Sequence, residues 1–317
     1  MAPKKPVIAV VGSTGAQGSG LVRAILQDPE RRFAARAITR KPDSEKGRAL
    51  AAQGAEVVGA DLNDTASLER AFAGATAAFC LTNFWEHFSA ETELTQARNM
   101  ARAAARSEVR HVIWSTLEDT RKLVPLSDSR MPTLKGKYKV PHFDGKGEAD
   151  AVFAEEKAPT TLLVTSFYWD NLINFGAGPR KDPSGQLAFT LPMGDKKLPG
   201  IAAEDIGPCA FGIFLRGREM ISRKVGIAGE ILTGAQMAAE LSTALGQPVR
   251  YQSIPFETYR QLGFPGADDL GNMFQYKHDF EREFCGARSV EQTRALYPGL
   301  QTFRQWLVRH AKQIPLS

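Results

Sequence analysis

The sequence predicts a doubly wound α/β protein, with a parallel sheet in its first half and a smaller α+β lobe after it. Two observations carry this expectation. Apolar runs of strand length alternate with longer helical stretches from residue 7 to about residue 165, and strands apolar on both faces belong to parallel sheets covered by helices on each side. The first apolar run also passes directly into a glycine-rich turn, Gly12-Ser13-Thr14-Gly15-Ala16-Gln17-Gly18, that begins a helix.

The strands are expected at Val7–Val11, Ala35–Thr39, Glu56–Ala60, Ala77–Leu81, His111–Ser115 and Thr161–Thr165. Helices are expected between them at Gln17–Gln27, Glu45–Gln53, Ser67–Phe72, Ala90–Arg106 and Asp144–Glu155. Thr65 stands before the third helix, and Ser89 is placed to cap the fourth, with Thr92 and Glu93 in its first turn. The stretch Thr116–Pro141 breaks the alternation with Pro125, Pro132, Pro141 and a basic run around Lys135–Lys139. A loop of that length is a flap or a disordered segment.

Beyond Ser166 the pattern loosens. Strands are expected near Leu187–Leu191, Val225–Ala228 and Val249–Ile254, and helices at Asp205–Leu215, Ala235–Leu245, Phe256–Leu262 and Thr302–Ile314. Thr233 and Gln236 have the spacing of a capping box. The expected division is residues 1–166 as a nucleotide-binding Rossmann domain and 167–317 as a smaller lobe, with the chain free to cross back.

Composition narrows the function classes. Of 317 residues, 43% are hydrophobic and 24% charged, which is ordinary for a globular protein. The net charge of +5 is spread along the chain rather than blocked, which argues against nucleic-acid binding, and Lys4-Lys5 is too short for an import signal. Cys80, Cys209 and Cys285 are too far apart for a disulfide framework or a zinc site, so no metal is expected. No apolar run reaches the roughly 20 residues of a membrane span. The Val7–Val11 run is also short for a signal-peptide core, so a cytoplasmic protein is expected.

In the glycine turn, Gly12 permits a tight exit from the strand, Gly15 admits a pyrophosphate to the backbone N–H groups, and Gly18 allows close helix packing. Thr14, Ala16 and Gln17 share the loop, and the helix start supplies donors and partial positive charge. No Lys-Ser/Thr pair follows the glycines, which excludes a P-loop. A dinucleotide is therefore expected on this Rossmann turn.

The second strand ends Thr39-Arg40-Lys41 where NAD-preferring sites carry an acid. An arginine there pairs with a 2′-phosphate, so NADP(H) is the expected cofactor, with Thr39 and Lys41 adding contacts. The plain alternative is a solvated Arg40. Asp61-Leu62, after the third strand, is positioned beside the adenine, unless Asp61 simply caps a helix. Thr82-Asn83-Phe84, after the fourth, is positioned beside the ribose and pyrophosphate.

Short-chain dehydrogenases place a catalytic Tyr four residues before a Lys on one helix face. Here Lys146 occupies the Lys position, but residue 142 is His. His142 is a general acid, a pocket wall or a packing residue. Tyr138 precedes Pro141, the expected helix start, and so belongs to the loop. Ser115 either orients a carbonyl or is a strand-end hydroxyl satisfied by backbone.

These residues together resemble the NmrA-like family of atypical short-chain dehydrogenases, close to its NADPH-sensing members. The resemblance is carried by Gly12–Gly18, Thr39-Arg40, Gln53–Val58, Thr82–Glu86, the stretch His142-Phe-Asp-Gly-Lys-Gly-Glu148, Tyr168–Asn171, Leu191–Asp195 and Leu262–Asp268, which span almost the whole chain. It implies NADP(H) held by the glycine turn, Arg40, Thr82–Phe84, Lys146 and the turn Tyr168, Trp169, Asp170 and Asn171. It also implies a fold that lacks the catalytic Tyr, as this chain does. The 116–141 stretch looks longer than the family pattern, which leaves the pocket's shape open.

Two functions follow. One is a redox-responsive regulator that binds NADP(H) and signals to a protein partner or a second copy. The other is an NADPH-dependent reductase of a quinone-like, aromatic or carbonyl substrate, walled by Phe84, Trp85, Phe167, Tyr168 and Trp169.

Overall fold

A computed structural model describes residues 5–316; Lys4, half of the short basic pair, lies outside them. Strand and helix alternate as β1 (Val7–Val11), α1 (Ala16–Leu26), β2 (Ala34–Thr39), α2 (Glu45–Ala52), β3 (Glu56–Gly59), α3 (Thr65–Phe72), β4 (Ala77–Cys80), α4 (Ala90–Arg106), β5 (His111–Thr116), α5 (Pro141–Glu155) and β6 (Thr160–Val164). Then come β7 (Phe167–Tyr168), α6 (Asn171–Asn174), β8 (Arg180–Lys181), β9 (Leu187–Thr190), β10 (Lys197–Ile201), α7 (Ala203–Arg216) and β11 (Lys224–Gly226). The chain finishes with β12 (Glu230–Thr233), α8 (Gly234–Leu245), β13 (Val249–Gln252), α9 (Phe256–Arg260), α10 (Ala267–Asp279), α11 (Glu281–Gly286), α12 (Val290–Leu296) and α13 (Phe303–His310).

The chain forms two compact units, and neither is contiguous. Among the described residues the first comprises 5–119, 142–164 and 204–225; the second comprises 120–141, 165–203 and 226–316. The sequence expectation was one cut after residue 166 with crossing back allowed, and the chain returns to the first unit twice.

The first unit holds a seven-stranded sheet in the order β11-β6-β5-β4-β1-β2-β3. The pairs β1–β2, β1–β4, β2–β3, β4–β5 and β5–β6 are all parallel, with Val10 opposite both Ala37 and Phe79. The strand order reverses between β1 and β4, and a crevice outside the carboxyl ends of strands at such a point is where doubly wound sheets take ligands.

The core on one face is built from Trp114, Phe72, Phe153 and the α4 stripe Ala97, Met100, Ala101 and Ala104. Trp114 packs on Phe153 at 5.0 Å. Each such aromatic ring buried contributes about 1.5–3 kcal/mol, and the alanines let α4 lie close to the sheet. Helix α7 belongs to this unit through Phe211 on Phe33 and Phe214 on His111.

The caps refine the expectations. Ser89 accepts from Thr92 N–H and Thr233 forms the capping box with Gln236. The cap of α3 is Asp64, which accepts from Ala66 and Ser67 N–H groups, so Thr65 is the first helical residue.

The second unit contains two three-stranded sheets, β12-β10-β7 and β13-β9-β8. Trp169 lies in its core against Phe303 and Trp306. The 120–141 stretch is neither a free flap nor structureless. It forms a short 3-10 turn at Thr120–Lys122 and a bridge between Leu134 and Tyr138. Asn272 of α10 donates to Pro132 O at 2.9 Å and Lys139 O at 2.6 Å, and Gln275 donates to Arg130 O at 2.9 Å. The buried Lys139 ammonium donates to Asp128 O and Met131 O, each at 2.7 Å. Strand β11, expected near Val225–Ala228 in the second lobe, instead borders β6 in the first unit's sheet.

Candidate functional site

The glycine turn leaves β1 at the point of strand reversal. Gly12 has φ +64°, a backbone state that glycine adopts without cost. A Cβ at Gly18 would stand 2.4 Å from Gly12 O, so only glycine fits there. Ser13 ties the turn to β2, its hydroxyl donating to Ile38 O at 2.9 Å.

Gly15 occupies the N-cap of α1 in an extended conformation. Among the described residues no side chain caps this helix, and its first turn holds no acid. Gly15 and Ala16 are exposed, and Thr14 and Gln17 are half-buried. A helix start of this kind presents unspent N–H donors and the positive end of the dipole, which fits a diphosphate. Gln17 also reaches across the crevice floor, its Oε1 accepting from Ser115 Oγ at 2.8 Å. Ser115 is thus satisfied by a side chain.

At the end of β2, Thr39 Oγ1 accepts from Lys41 N–H at 3.3 Å. Arg40 forks onto Glu86, with Nη2–Oε1 and Nη1–Oε2 each at 3.0 Å, and both side chains are largely exposed, 61% and 45%. Asn83 Nδ2 donates to the same Glu86 Oε1 at 3.1 Å. Asp61 Oδ1 accepts from Asn63 N–H at 2.8 Å, turning its own loop, so it caps no helix. Leu62 packs on the core.

Lys146 of α5 extends to the end of β4. Its Nζ donates to Thr82 Oγ1 at 2.7 Å and Thr82 O at 3.0 Å, lies 3.0 Å from Glu93 Oε2, and sits 5.2 Å over the Trp114 ring. His142 is 6% exposed and set among rings, with Trp85 at 5.0 Å, Phe143 at 4.8 Å and Phe84 at 5.9 Å. Phe84 is buried and contacts Trp85, His87 and Phe88 as well.

The remaining expected residues lie in the second unit. Tyr138 is buried there, its ring contacted by Arg121 and Lys137. Tyr168 donates to Thr165 Oγ1 at 3.4 Å. The Trp169 ring is committed to the core, and Asp170 Oδ2 accepts from Ala203 N–H at 2.8 Å, which leaves the half-buried Asn171 at the start of α6. Among the described residues no group of His, Cys, Asp and Glu is arranged to hold a metal ion, and no helix is long and apolar enough to cross a membrane.

Sequence reasoning missed Glu86 and Glu93. Glu86 follows Phe84-Trp85 in a short turn and carries no periodic signal. Glu93 was placed only in the first turn of its helix, with no role given, and it is completely buried. Its spacing to Ala97, Met100, Ala101 and Ala104 places it on the apolar stripe, and that was the available signal.

A seven-stranded, doubly wound sheet with a glycine turn at its strand reversal defines a Rossmann-type α/β protein. The sequence profile of the NmrA-like family matches residues 4–307, and the chain belongs to that family. Its relatives include the NmrA-like family domain-containing oxidoreductase FrzB of Cladobotryum sp., 29% identical over 290 residues, covering 85% of this chain and 83% of that protein. An NAD(P)H azoreductase of Xenophilus azovorans is 29% identical over 275 residues, covering 84% and 86%. Among solved structures, NmrA, a negative transcriptional regulator in complex with NADP, superposes with TM-score 0.79 at 22% identity, covering 97% and 95% of the two chains. Triphenylmethane reductase of Citrobacter sp., complexed with NADP(H), gives TM-score 0.74 at 19% identity, covering 96% and 99%.

Proposed function

We propose that this chain binds NADP(H) on its first unit and acts as a redox-responsive regulator, reporting the nucleotide's state to a protein partner or a second copy. The observation that carries it is the uncapped, acid-free start of α1 on the Gly12–Gly18 turn, with Arg40 at the neighbouring strand end. The turn would hold the diphosphate, Arg40 the 2′-phosphate, Thr82–Phe84 and Lys146 the ribose side. Thr39, Lys41, Asp61 and Leu62 would border the adenosine. When bound, the nucleotide supplies hydride chemistry. The protein's part is to orient it.

Binding without turnover is favoured by the protein's own proton donors. Position 142 holds His in place of Tyr, and its ring is packed among aromatics. The Lys146 ammonium donates to Thr82 O and Thr82 Oγ1 and is ion-paired with Glu93 at 3.0 Å. A second reading, an NADPH-dependent reductase, is favoured by the near-full-length relatives named as oxidoreductases, the azoreductase among them. His142 would then be the acid, and Trp85 part of an aromatic substrate's wall.

Calorimetric titration with NADPH, NADP⁺ and NADH, followed by NADPH oxidation against azo dyes, quinones and aldehydes, tests both. Tight NADPH binding with no acceptor turned over supports the regulator. Turnover lost in Lys146→Ala establishes the reductase. No binding of any nucleotide overturns both.

A further inference from the structure

Glu93 stands out from the rest of α4. Its carboxylate is fully buried on the apolar face, where an unpaired charge is costly. Its close partner is the Lys146 ammonium, 3.0 Å from Oε2. Neither carboxylate oxygen has a hydrogen bond of good geometry among the described residues. The second polar neighbour is His87, whose Nε2 lies 4.0 Å from Oε1. His87 Nδ1 accepts from Ser89 N–H at 3.1 Å, so the neutral ring carries its proton on Nε2, on the side of Glu93.

The helices are shaped for this meeting. A Cβ at Gly145 would lie 2.9 Å from Ala90 Cβ and 3.1 Å from Ala90 Cα. Glycine beside Lys146 therefore lets the first turn of α4, with Glu93 on it, press against the first turns of α5.

Stability alone does not account for the arrangement, because a buried ion pair does no better than a well-packed apolar pair of the same volume. The pair does fix an ammonium. Bonded to Thr82 and ion-paired with Glu93, Lys146 loses the freedom of its four-carbon stem and is fixed at the carboxyl end of β4, at the strand-reversal crevice.

We propose that Glu93 is a positioning residue for nucleotide binding: it holds the Lys146 ammonium aimed beside Thr82, where the ribose on the nicotinamide side would be bound. This rests on the NADP(H) reading above.

The test is calorimetric titration of NADPH into wild type, Glu93→Gln, Lys146→Met, the double variant and Glu93→Asp, with thermal midpoints measured alongside. Glu93→Gln should weaken binding by about tenfold, comparable with Lys146→Met, since each removes a charged contact from the same locus. The double variant should be no weaker than the worse single variant, because the two act as one unit. Glu93→Asp should recover most of the affinity, binding about two- to threefold more weakly than wild type. A merely structural Glu93 would lower the midpoint and leave NADPH affinity at the wild-type value, and that outcome overturns the proposal, as does full additivity in the double variant. If Glu93→Gln does not fold, Glu93→Asp decides: a measurable weakening supports the role, and unchanged affinity overturns it. Wild type that binds no NADPH overturns the nucleotide reading and this one together. Wild-type binding with an indifferent Glu93→Gln overturns this one alone.

Discussion

Arg40→Ala is the most direct probe of nucleotide choice, and its size can be worked from the geometry. In the free protein the guanidinium is already engaged, forked onto Glu86 through two 3.0 Å contacts on an exposed surface. Such a surface pair contributes about 0.2–1 kcal/mol. A 2′-phosphate on the same fork would form charged hydrogen bonds of about 1.5–3 kcal/mol each. Exchange against Glu86, with solvent screening at 61% exposure, leaves a net preference of about 1–2 kcal/mol. That corresponds to about 5- to 30-fold in affinity. The assay is titration of NADPH and NADH into wild type and Arg40→Ala at fixed low salt. The NADPH/NADH ratio should fall by that factor while NADH affinity holds. Glu86→Gln should move the ratio the other way by a few-fold, about the worth of the released pair. A ratio unchanged by Arg40→Ala would refute the assignment of the 2′-phosphate to this strand end.

Three further outcomes are expected. Gly18→Val puts side-chain atoms where a Cβ already stands 2.4 Å from Gly12 O; NADPH affinity should fall by more than about tenfold with the far-UV spectrum retained. Burial holds the His111 imidazole down to about 4, its ring bonded to Thr161 Oγ1 at 2.8 Å. Because the unfolded chain takes up that proton below about pH 6.5 and the folded chain resists it, stability should fall by roughly 3 kcal/mol as pH drops from 6.5 toward 4, read as a lower denaturant midpoint at pH 5 than at pH 7. Asn272→Ala strips the donor from Pro132 O and Lys139 O, at about 1–3 kcal/mol for each carbonyl left unsatisfied. The 120–141 segment should then become the first site of limited proteolysis.

The first half of the fold was legible because local signals agree with one another. β1 and α4 fall where their apolar runs and caps place them, and the Gly12–Gly18 turn lies where a strand becomes a helix. The second half was harder for specific reasons. β10 contains Pro199 and Gly200, residues that ordinarily break a strand, yet both pair with β12. α10 buries Asp269, Asn272, Gln275 and Lys277 beside its aromatics, so no polar face reveals its period. In the site, the expected Lys146 and Thr82 meet directly. Arg40's partner Glu86 is 46 residues away, a separation that sequence pattern does not bridge. The membership of 120–141 in the second unit rests on a carbonyl-to-Asn272 contact across 140 positions, again beyond any local rule.

The interleaved chain path has a consequence for biosynthesis. When a ribosome has released residues through β6, the strand's outer rim is still unpaired, because β11, its lateral neighbour, lies some sixty codons downstream. A nascent polypeptide therefore carries an adhesive margin through that whole interval. Any fragment ended near residue 166 keeps it permanently, and should aggregate where the intact chain does not.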